Sequence, residues 1–384
     1  MEYYNQYLDR LIALRKELHQ YPEISGKEVM TAQRILSFLE QFPPDEIITN
    51  LGNTGVAVLY KAKKSGKKVL FRAELDALAI DEDKKLAHHS LNKGVSHKCG
   101  HDGHMVILCG LAIQLHHKRP ETGTVILLFQ PSEEDGSGAQ KVIADEKFSK
   151  LEPDYVLALH NLPGYTKNQI VVKNNTFSCA VSSIVIQLKG IVAHAAEPEN
   201  GVNPALAIAS VISEFNQYIQ PDIAQKEYCL ITPIYIQMGE KVYGVSAGAA
   251  EVHFTVRSDS NLRMKSIVTL LEETVKKIAT ANQLGYAIDW LQTFQANENN
   301  PQVVDYVRKA AQSYNLELLE KETAFSWGED FGLFSRKYPG AMFGIGSGTE
   351  TAALHHPDYD FPDDILSAGI RVFYHISKQI TDAN

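Results

Sequence analysis

Cysteine is scarce in this chain. Its 384 residues include four cysteines, Cys99, Cys109, Cys179 and Cys229, at no regular spacing. Secreted domains that depend on disulfides carry cysteines densely and in patterned, even-numbered sets. The sequence therefore argues against a disulfide framework, and we expect a reducing, cytoplasmic setting in which a thiolate ligand can persist.

Positive charge is also in short supply. The chain has 37 Lys and Arg residues against 46 Asp and Glu residues, which gives a formal net charge of −9. Its densest basic cluster, residues 61–68, lies between two apolar runs and is typical of a solvated hairpin turn. We therefore expect no nucleic-acid partner.

Long apolar runs are missing as well. No run approaches the roughly 18 residues that a membrane-spanning helix needs. The first residues follow an amphipathic helical pattern rather than the basic and then apolar segments of a signal peptide. We therefore expect no membrane partner. What remains is an ordinary globular composition, with 44% hydrophobic and 22% charged residues.

Length and a change of pattern along the chain predict two domains. A chain of 384 residues exceeds the usual size of a single core. Residues 1–178 alternate helical and strand periods with nearly continuous apolar strands, which favours a sheet covered by helices on both faces. Residues 179–294 follow a β-α-β-β-α-β order, as in ferredoxin-like domains, and residues 295–384 return to alternation. We predict an α/β fold in which an inserted ferredoxin-like α+β domain interrupts a mixed-sheet catalytic domain.

Two separate motifs carry the chemistry. The first, His-Lys-Cys-Gly-His-Asp-Gly-His at 97–104, combines a thiol with imidazoles, and the second, Gln-Pro-Ser-Glu-Glu at 130–134, ends in paired carboxylates. A Cys-x-His spacing at a turn into a helix can direct both side chains at one point, and Gly100 allows the turn. Groups of this kind bind divalent metal ions and activate water. Metal-assisted hydrolysis is therefore the first hypothesis.

Five residues could together hold two metal ions. Two ions that each take three protein ligands, with one ligand shared, need five ligands in total, and ions about 3.5–4 Å apart suit that arrangement. The candidate ligands are Cys99, His101, Glu134, His160 and His355. The count fits a two-metal site.

Two further carboxylates are candidates for supporting roles. Glu133, next to Glu134, would stand beside the bridging water, where it could accept the water's proton and pass it to a leaving amine. Asp76 ends a strand in the same half of the chain and could accept the second N–H of a metal-bound His101. Paired glutamates are common on exposed helices and a strand-end aspartate can simply close a turn, so the neighbouring motifs support the functional interpretation.

The motifs and their order resemble the aminoacylase and auxin-conjugate amidohydrolase branch of the carboxypeptidase-like di-metal hydrolases. The likeness extends over essentially the whole chain, and its matching segments are 97–104, 130–134, 190–196 and 354–357. The resemblance implies the same five ligands with Glu133 as base, two zinc or manganese ions per chain, and cleavage of N-acyl amino acids or related amides. It also implies that the inserted domain acts as a lid and carries the interface of a homodimer.

The resemblance assigns two further residues in the inserted domain. His194 matches a lid histidine that stabilises the oxyanion, in the family by reaching the site of a neighbouring subunit. Arg257 matches a residue that helps grip a substrate carboxylate. Gly244, however, stands where the family has an Asn-x-Ile-Pro motif with the same task, which leaves carboxylate recognition open.

Two places near the C-terminus also concern the site. Residues 344–348, Gly-Ile-Gly-Ser-Gly, lack the lysine of a phosphate-binding loop. We interpret them as a turn that lines the substrate, with Gly346 as a candidate contact. His356 stands where the family usually has Ser or Asn, so an exchange of ligand roles between His355 and His356 stays open.

The leading hypothesis is a di-metal amidohydrolase that acts on linear amides of small molecules. The alternative within enzymes is a dipeptidase or carboxypeptidase on short peptides. Two other hypotheses are a metal-binding protein without activity and a structural zinc site. A structural site closes with four Cys or His ligands and has no use for a free carboxylate beside the metal.

Overall fold

The computed structural model describes residues 2–82 and 86–382. These residues form two units, and each is described by itself below. The first unit comprises residues 1–177, 297–321 and 330–384, and the second comprises residues 178–296 and 322–329. The segment 322–329 lies within the range 295–384 that we expected in the catalytic domain, yet it groups with the second unit.

The bounds of the elements are as follows. The α-helices are α1 (Leu8–Gln20), α2 (Val29–Leu39), α3 (His101–His117), α4 (Gly138–Ala144), α5 (Ala205–Gln217), α6 (Asn261–Ala281), α7 (Pro301–Ser313), α8 (Gly332–Lys337) and α9 (Leu366–Thr381). The strands are β1 (Glu46–Leu51), β2 (Gly55–Lys61), β3 (Lys64–Glu74), β4 (Thr122–Gln130), β5 (Tyr155–Pro163), β6 (Ile170–Val172), β7 (Asn175–Ser178), β8 (Ala180–Lys189), β9 (Ala193–His194), β10 (Cys229–Met238), β11 (Val245–Ser246), β12 (Ala249–Ser258), β13 (Gly285–Phe294), β14 (Asn297–Asn299), β15 (Leu318–Glu320) and β16 (Gly340–Gly348).

An eight-stranded mixed sheet forms the centre of the first unit, in the order β1-β2-β4-β3-β5-β16-β6-β15. The four central strands β4, β3, β5 and β16 are parallel to one another. Strands β1 and β2 on one side and β6 on the other are attached by antiparallel pairing. The predicted mixed-sheet α/β fold is thereby confirmed.

Both faces of this sheet are covered, as the continuous apolar runs predicted. Every residue of β16 is buried, and so is every residue of β3 from Val69 to Glu74. One face packs in a large core with α1, α3, α7 and α9, where Phe71 and Phe343 contact Phe373 of α9. Since a strand buried on both sides cannot alternate polar and apolar residues, these strands are apolar along nearly their whole length.

Helix α3 is buried along almost its whole length. Every residue from His101 to Leu115 is buried, so this stretch of the helix has no solvent-exposed face. It packs against α1, α9 and β3. Because packing fixes the helix against the sheet, a ligand bound by the first residues of the helix would be held in a fixed position relative to the sheet.

The second unit contains a four-stranded antiparallel sheet in the order β10-β12-β8-β13. Along the chain this sheet and the two helices of the unit follow as β8-α5-β10-β12-α6-β13, with the two-residue strands β9 and β11 between them. This is the β-α-β-β-α-β order expected for the inserted domain. Val211 of α5 and Leu271 of α6 pack in one core with Ile184 and Ile186 of β8. The role of this unit as a lid stays a prediction.

Membrane-spanning helices were not expected. Among residues 2–82 and 86–382, every helix is too short or too polar to cross a lipid bilayer.

The close packing of α3 against α9 can be tested with Gly110→Ala. A Cβ at this position would lie 2.2 Å from Cδ1 of Ile370, which is fully buried. Although alanine favours a helix over glycine by about 1 kcal/mol, we expect overpacking to lower the free energy of unfolding by about 1–3 kcal/mol. Urea unfolding measures the change.

The matched control is Ile370→Val, which removes the obstructing Cδ1 methyl group. Alone it should cost about 0.5–1.5 kcal/mol, but combined with Gly110→Ala it should restore part of the lost stability. Strictly additive losses in the double variant would contradict the packing argument.

Candidate metal centre

The predicted ligands lie at the edge of the sheet where the central parallel strands end. Strand β3 ends at Glu74 and β4 ends at Gln130, shortly before the paired glutamates. His160 lies in the carboxyl half of β5, and His355 follows β16. Because the carboxyl ends of parallel strands meet at one edge, segments far apart in the sequence come together there.

A left-handed turn aims Cys99 and His101 at this edge. Gly100 precedes the first residue of α3 and has φ = 93°. A Cβ on it would lie 2.6 Å from Oδ1 of Asn161, so a larger residue fits neither the backbone conformation nor the space. The glycine in the Cys-x-His motif is therefore required for the turn, as the sequence suggested.

The structure brings all five predicted ligands together, with Glu133 beside them. Potential donor atoms lie within 4.8 Å of one another in three sets. These sets are Cys99, His101 and His160; Cys99, Glu134 and His355; and His101, Glu133 and Glu134. Cys99 is common to the first two sets.

A main-chain carbonyl fixes the ring of His101. Its Nδ1 lies 2.8 Å from the carbonyl oxygen of Asp76, which can only accept, so Nδ1 carries the proton. Nε2 is buried and has no hydrogen-bond partner among the residues that the structure describes. It lies 3.9 Å from Oε2 of Glu133 and 3.7 Å from Oε1 of Glu134. This nitrogen therefore faces the centre of the cluster.

His160 is oriented in the same way. Its Nδ1 donates to the carbonyl of Asn161 at 2.9 Å, which leaves Nε2 3.5 Å from Sγ of Cys99. Burial, reinforced by the nearby ring of His104, lowers the pKa of His160 to about 3. The ring is thus neutral at ordinary pH and presents a lone pair to the cluster.

Carboxylates give the cluster a negative potential. Burial by itself would lower the pKa of His101, but Glu74, Asp76 and Glu134 raise it to about 10. The same potential favours any cation at this position.

Two buried carboxylates hold the turn that carries Glu133 and Glu134. The N–H of Ser132 donates to Glu28 at 2.8 Å, and the N–H of Glu134 donates to Oδ2 of Asp76 at 3.0 Å. Asp76 also accepts from the hydroxyl of Ser25 at 2.7 Å. Asp76 does lie against His101 as expected. Its carbonyl accepts the N–H at 2.8 Å, while Oδ1 of its carboxylate lies 3.6 Å from the same nitrogen and Oδ2 holds Glu134.

His355 completes the cluster from a turn after β16. Its Nε2 lies 3.9 Å from Oε2 of Glu134, and its side chain is about half exposed. The residue has φ = 65°, which is unusual for a side chain with a Cβ. Its N–H donates to the carbonyl of Lys98 at 2.8 Å. His356 is placed differently, with its ring accepting from the N–H of Asp358 at 3.1 Å.

A second layer of polar residues lies behind the cluster, and the sequence analysis assigned no role to two of its members, Arg72 and Glu74. Glu74 binds Nδ1 of His104 at 2.7 Å and pairs with Arg72, and Arg72 in turn binds Asp330 at 2.6 Å. Nε2 of His104 faces Oδ1 of Asn161 at 2.5 Å. Arg72 and Glu74 share one face of β3, and Asp76 follows two residues beyond its end, a period-of-two pattern of charges that could have indicated them.

A second buried group that the sequence left unassigned surrounds Asp102. The Nδ1 of His19 lies 2.8 Å from Asp102, and its Nε2 lies 2.9 Å from Glu82. Arg15 approaches the same Asp102 oxygen at 3.4 Å. Burial would lower the pKa of His19, but the two carboxylates raise it to about 9. His19 is therefore a buried imidazolium that ties α1 to the start of α3.

The remaining candidates are placed as follows. His194 is exposed in β9 of the second unit, and its Nδ1 accepts from the N–H of Ala196 at 3.1 Å, so that Nε2 carries the proton of a neutral ring. Strand β9 pairs with β11, the segment that stands where the Asn motif was expected. Arg257, in β12, donates to the carbonyl of Ser326 at 2.7 Å.

Gly346 lies inside the sheet of the first unit. Its N–H donates to the carbonyl of Gln169 at 2.8 Å, and its carbonyl accepts from the N–H of Asn168 at 2.9 Å. A Cβ would lie 1.9 Å from the carbonyl oxygen of Thr166. This packing explains the glycine, and a contact with substrate stays a prediction.

Comparisons with known proteins agree over nearly the whole chain. A model of peptidase family M20/M25/M40 matches residues 70–379. The N-acetyldiaminopimelate deacetylase of Bacillus subtilis strain 168 is 30% identical over 369 residues, which are 95% of this chain and 97% of that protein. The corresponding protein of Listeria monocytogenes serotype 4a is 29% identical over 369 residues, with 96% and 98% covered.

Solved structures show the same relationship. The Bacillus subtilis YXEP protein, a dinuclear metal binding peptidase from the M20 family, matches with a TM-score of 0.84 at 26% identity, covering 99% of this chain and 100% of that chain. The aminobenzoyl-glutamate utilization protein from Klebsiella pneumoniae has a TM-score of 0.73 at 19% identity, with 98% and 97% covered, which is a likeness of fold alone.

The buried imidazolium of His19 predicts a loss of stability in mild alkali. The pKa rises from about 6.5 in an unfolded chain to about 9 in the folded one. The folded state therefore holds a proton that the unfolded state releases between these values, and the stabilisation, complete below pH 6.5, declines as pH rises and is lost above about pH 9. The difference in unfolding free energy between wild type and His19→Gln, measured in urea from pH 6 to 10, should shrink over this range.

The control is Gln20→Ala at the end of α1, which removes no titratable group. Its difference from wild type should not change with pH in the same window. A constant gap between wild type and His19→Gln across the whole range would contradict the assignment.

Proposed function

The chain belongs to peptidase family M20/M25/M40 and is an amidohydrolase, and from this premise we propose that it cleaves the amide bond of N-acyl amino acids with two divalent metal ions. The observation that carries the proposal is the pair of donor sets that share Cys99, with Glu133 beside them. A shared ligand is what five residues need in order to serve two ions with three ligands each.

The residues present fit such ions. Nε2 of His101 is a buried nitrogen with no hydrogen-bond partner among the described residues, and a metal ion would satisfy it. The opposite nitrogens of His101 and His160 donate to main-chain carbonyls, the usual arrangement for histidines that bind metal. We propose that Cys99, His101 and His160 hold one ion, and that Cys99, Glu134 and His355 hold the other.

The donor chemistry bears on the choice between the two metals that the family resemblance implies. A thiolate with imidazoles suits zinc, whereas a carboxylate and an imidazole also suit manganese. Magnesium and calcium prefer sites made of oxygen atoms. We propose zinc or manganese, and the shared thiolate favours zinc.

We propose separate roles in catalysis for the ions and for individual side chains. When bound, the ions supply Lewis acidity that acidifies a water molecule and polarises the amide carbonyl. Glu133, whose Oε2 lies 3.9 Å from Nε2 of His101, accepts the proton of the water and delivers it to the departing amine. His194, through its Nε2–H, is proposed as the donor that opposes negative charge on the former carbonyl oxygen.

The substrate class follows from the relatives. Several curated relatives are N-acetyldiaminopimelate deacetylases, so an N-acetylated amino acid is the first substrate to try. The YXEP protein is described as a peptidase, which keeps short peptides as the second candidate. Arg257 is proposed to bind a substrate carboxylate, and Gly346 to line the substrate.

The second unit has two proposed roles. We propose that it acts as a lid over the substrate and that it carries the interface of a homodimer. Met238 and Tyr235 are exposed apolar residues on β10, the edge strand of its sheet. An exposed apolar edge strand is a surface on which a second copy could pair.

Replacement of Glu133 tests the proposed base. Glu133→Gln keeps the shape but cannot accept a proton, so we expect amide hydrolysis to fall by about 10²–10⁴-fold while metal content stays unchanged. Amine release is measured on N-acetyl amino acids, including N-acetyldiaminopimelate, and on dipeptides, after reloading with zinc or manganese. The control Glu146→Gln, at an exposed position, should keep full activity. Equal activity of Glu133→Gln and wild type would refute the role.

Replacement of Cys99 tests the shared ligand. Because Cys99 belongs to both donor sets, Cys99→Ser should weaken the binding of both ions, whereas His160→Ala and His355→Ala should each weaken one. The measurement is metal content after dialysis against graded chelator. Cys109→Ser is the matched control, since this buried thiol lies within α3 and burial raises its pKa. Loss of a single ion in Cys99→Ser would assign the sharing to another residue.

A further inference from the structure

Lys98, the residue before Cys99, is a completely buried lysine. Its side chain has no exposed surface. Lysine is almost never fully buried unless it is paired. Here the ammonium group pairs with the carboxylate of Glu82 and donates to the carbonyl of Tyr359 at 2.7 Å. The burial of this charge beside the metal-ligand motif requires a structural explanation.

The same lysine holds both ends of the turn that contains His355. Its carbonyl accepts from the N–H of His355 at 2.8 Å, while its ammonium group binds the carbonyl of Tyr359. Between these points the N–H of Tyr359 donates to the carbonyl of His356 at 2.9 Å. Lys98 belongs to the loop that contains Cys99, called the Cys99 loop below. It therefore anchors both ends of the turn from His355 to Tyr359, called the His355 turn below.

The backbone of His355 needs such support. Its φ of 65° is a left-handed conformation that side chains with a Cβ adopt at a cost. Conformations of this kind persist when the surroundings hold them from several sides. Removing one of the two attachments would let the turn relax toward ordinary dihedral angles and carry the imidazole away from Glu134.

The turn also connects to the strand that carries His160. Asn161 donates from its side-chain amide to the hydroxyl of Tyr359, and its carbonyl accepts from Nδ1 of His160. Tyr359 is fully buried and is contacted from both sides, by Lys98 at its carbonyl and by Asn161 at its hydroxyl. The segments of Cys99, His160 and His355 thus meet at one tyrosine.

We propose that Lys98 is a positioning residue of the metal centre, which holds the His355 turn against the Cys99 loop and thereby sets the affinity of the ion that His355 binds. This inference rests on the proposed function, since it takes His355 as a ligand. It assigns a task to a residue that does not itself contact metal or substrate.

A simple ion pair that stabilises the fold would behave differently. Glu82 also accepts from Nε2 of His19 at 2.9 Å and from the N–H of Ser90 at 2.6 Å. Its carboxylate therefore keeps two partners when the lysine is replaced, so the usual penalty of an orphaned buried charge is reduced. The main loss on replacement is the hydrogen bond to Tyr359.

The test is the metal affinity of Lys98→Met, which keeps the length of the side chain and removes the ammonium group. Zinc binding to the metal-stripped protein is followed by calorimetry, and cobalt binding by its thiolate charge-transfer and ligand-field absorption. Loss of a residue that orients a ligand weakens metal binding by about 10–100-fold. We expect that loss for one ion, with the other ion unchanged.

Two further variants separate positioning from general stability. Lys68→Met is the matched control, because Lys68 donates to the carbonyl of Leu151 at 3.1 Å and has no role in the site. It should bind both ions as wild type does. Lys98→Arg keeps the cation and its donors, and it should recover most of the lost affinity and the wild-type cobalt spectrum.

A cycle with His355→Ala completes the test. If Lys98 acts through His355, then Lys98→Met added to His355→Ala should change metal binding no further. Wild-type affinity for both ions in Lys98→Met, or equal weakening of both ions, would overturn the inference. If Glu133→Gln loses activity but Lys98→Met binds both zinc ions as wild type does, this inference is overturned and the proposed function is not. Two bound ions in wild type without hydrolysis would overturn the proposed function alone.

Discussion

The candidate centre depends on one property of the sheet, the parallel direction of its four central strands. Because β3, β4, β5 and β16 run the same way, the segments at their carboxyl ends lie at one edge. Glu134 follows β4, His160 lies in the carboxyl half of β5, and His355 follows β16. A strand of opposite direction would carry its residue to the far edge, so the site requires this topology.

Main-chain carbonyls do much of the positioning within that frame. His101 donates to the carbonyl of Asp76, His160 to that of Asn161, and the N–H of His355 to that of Lys98. Because a carbonyl oxygen accepts but does not donate, it selects the ring tautomer of His101 and of His160 that carries its proton on Nδ1. This selection does not depend on the side chain of the residue that supplies the carbonyl. Side chains are thereby left for other work, as Asp76 shows by holding the N–H of Glu134 with its carboxylate.

The sequence supported several conclusions that the comparisons and the structure confirm. The order of the motifs indicated the family and amide hydrolysis, and continuous apolar runs indicated a sheet buried on both faces. The roles of the individual ligands, the lid and the homodimer stay proposals. The sequence analysis assigned no role to Glu74, His19 or Lys98, because the sequence alone does not distinguish a buried charged residue from a solvated one.

The residue types along the chain establish which chemical groups the protein can offer: a thiol, several imidazoles and paired carboxylates, with a glycine that permits the turn between Cys99 and His101. Which of these groups meet, and how each is oriented, depends on the folded structure. Local composition and periodicity act over a few neighbouring residues. The contacts that orient His101, Glu134 and His355 join segments that are distant along the chain, and their geometry is set by the packing of the whole sheet.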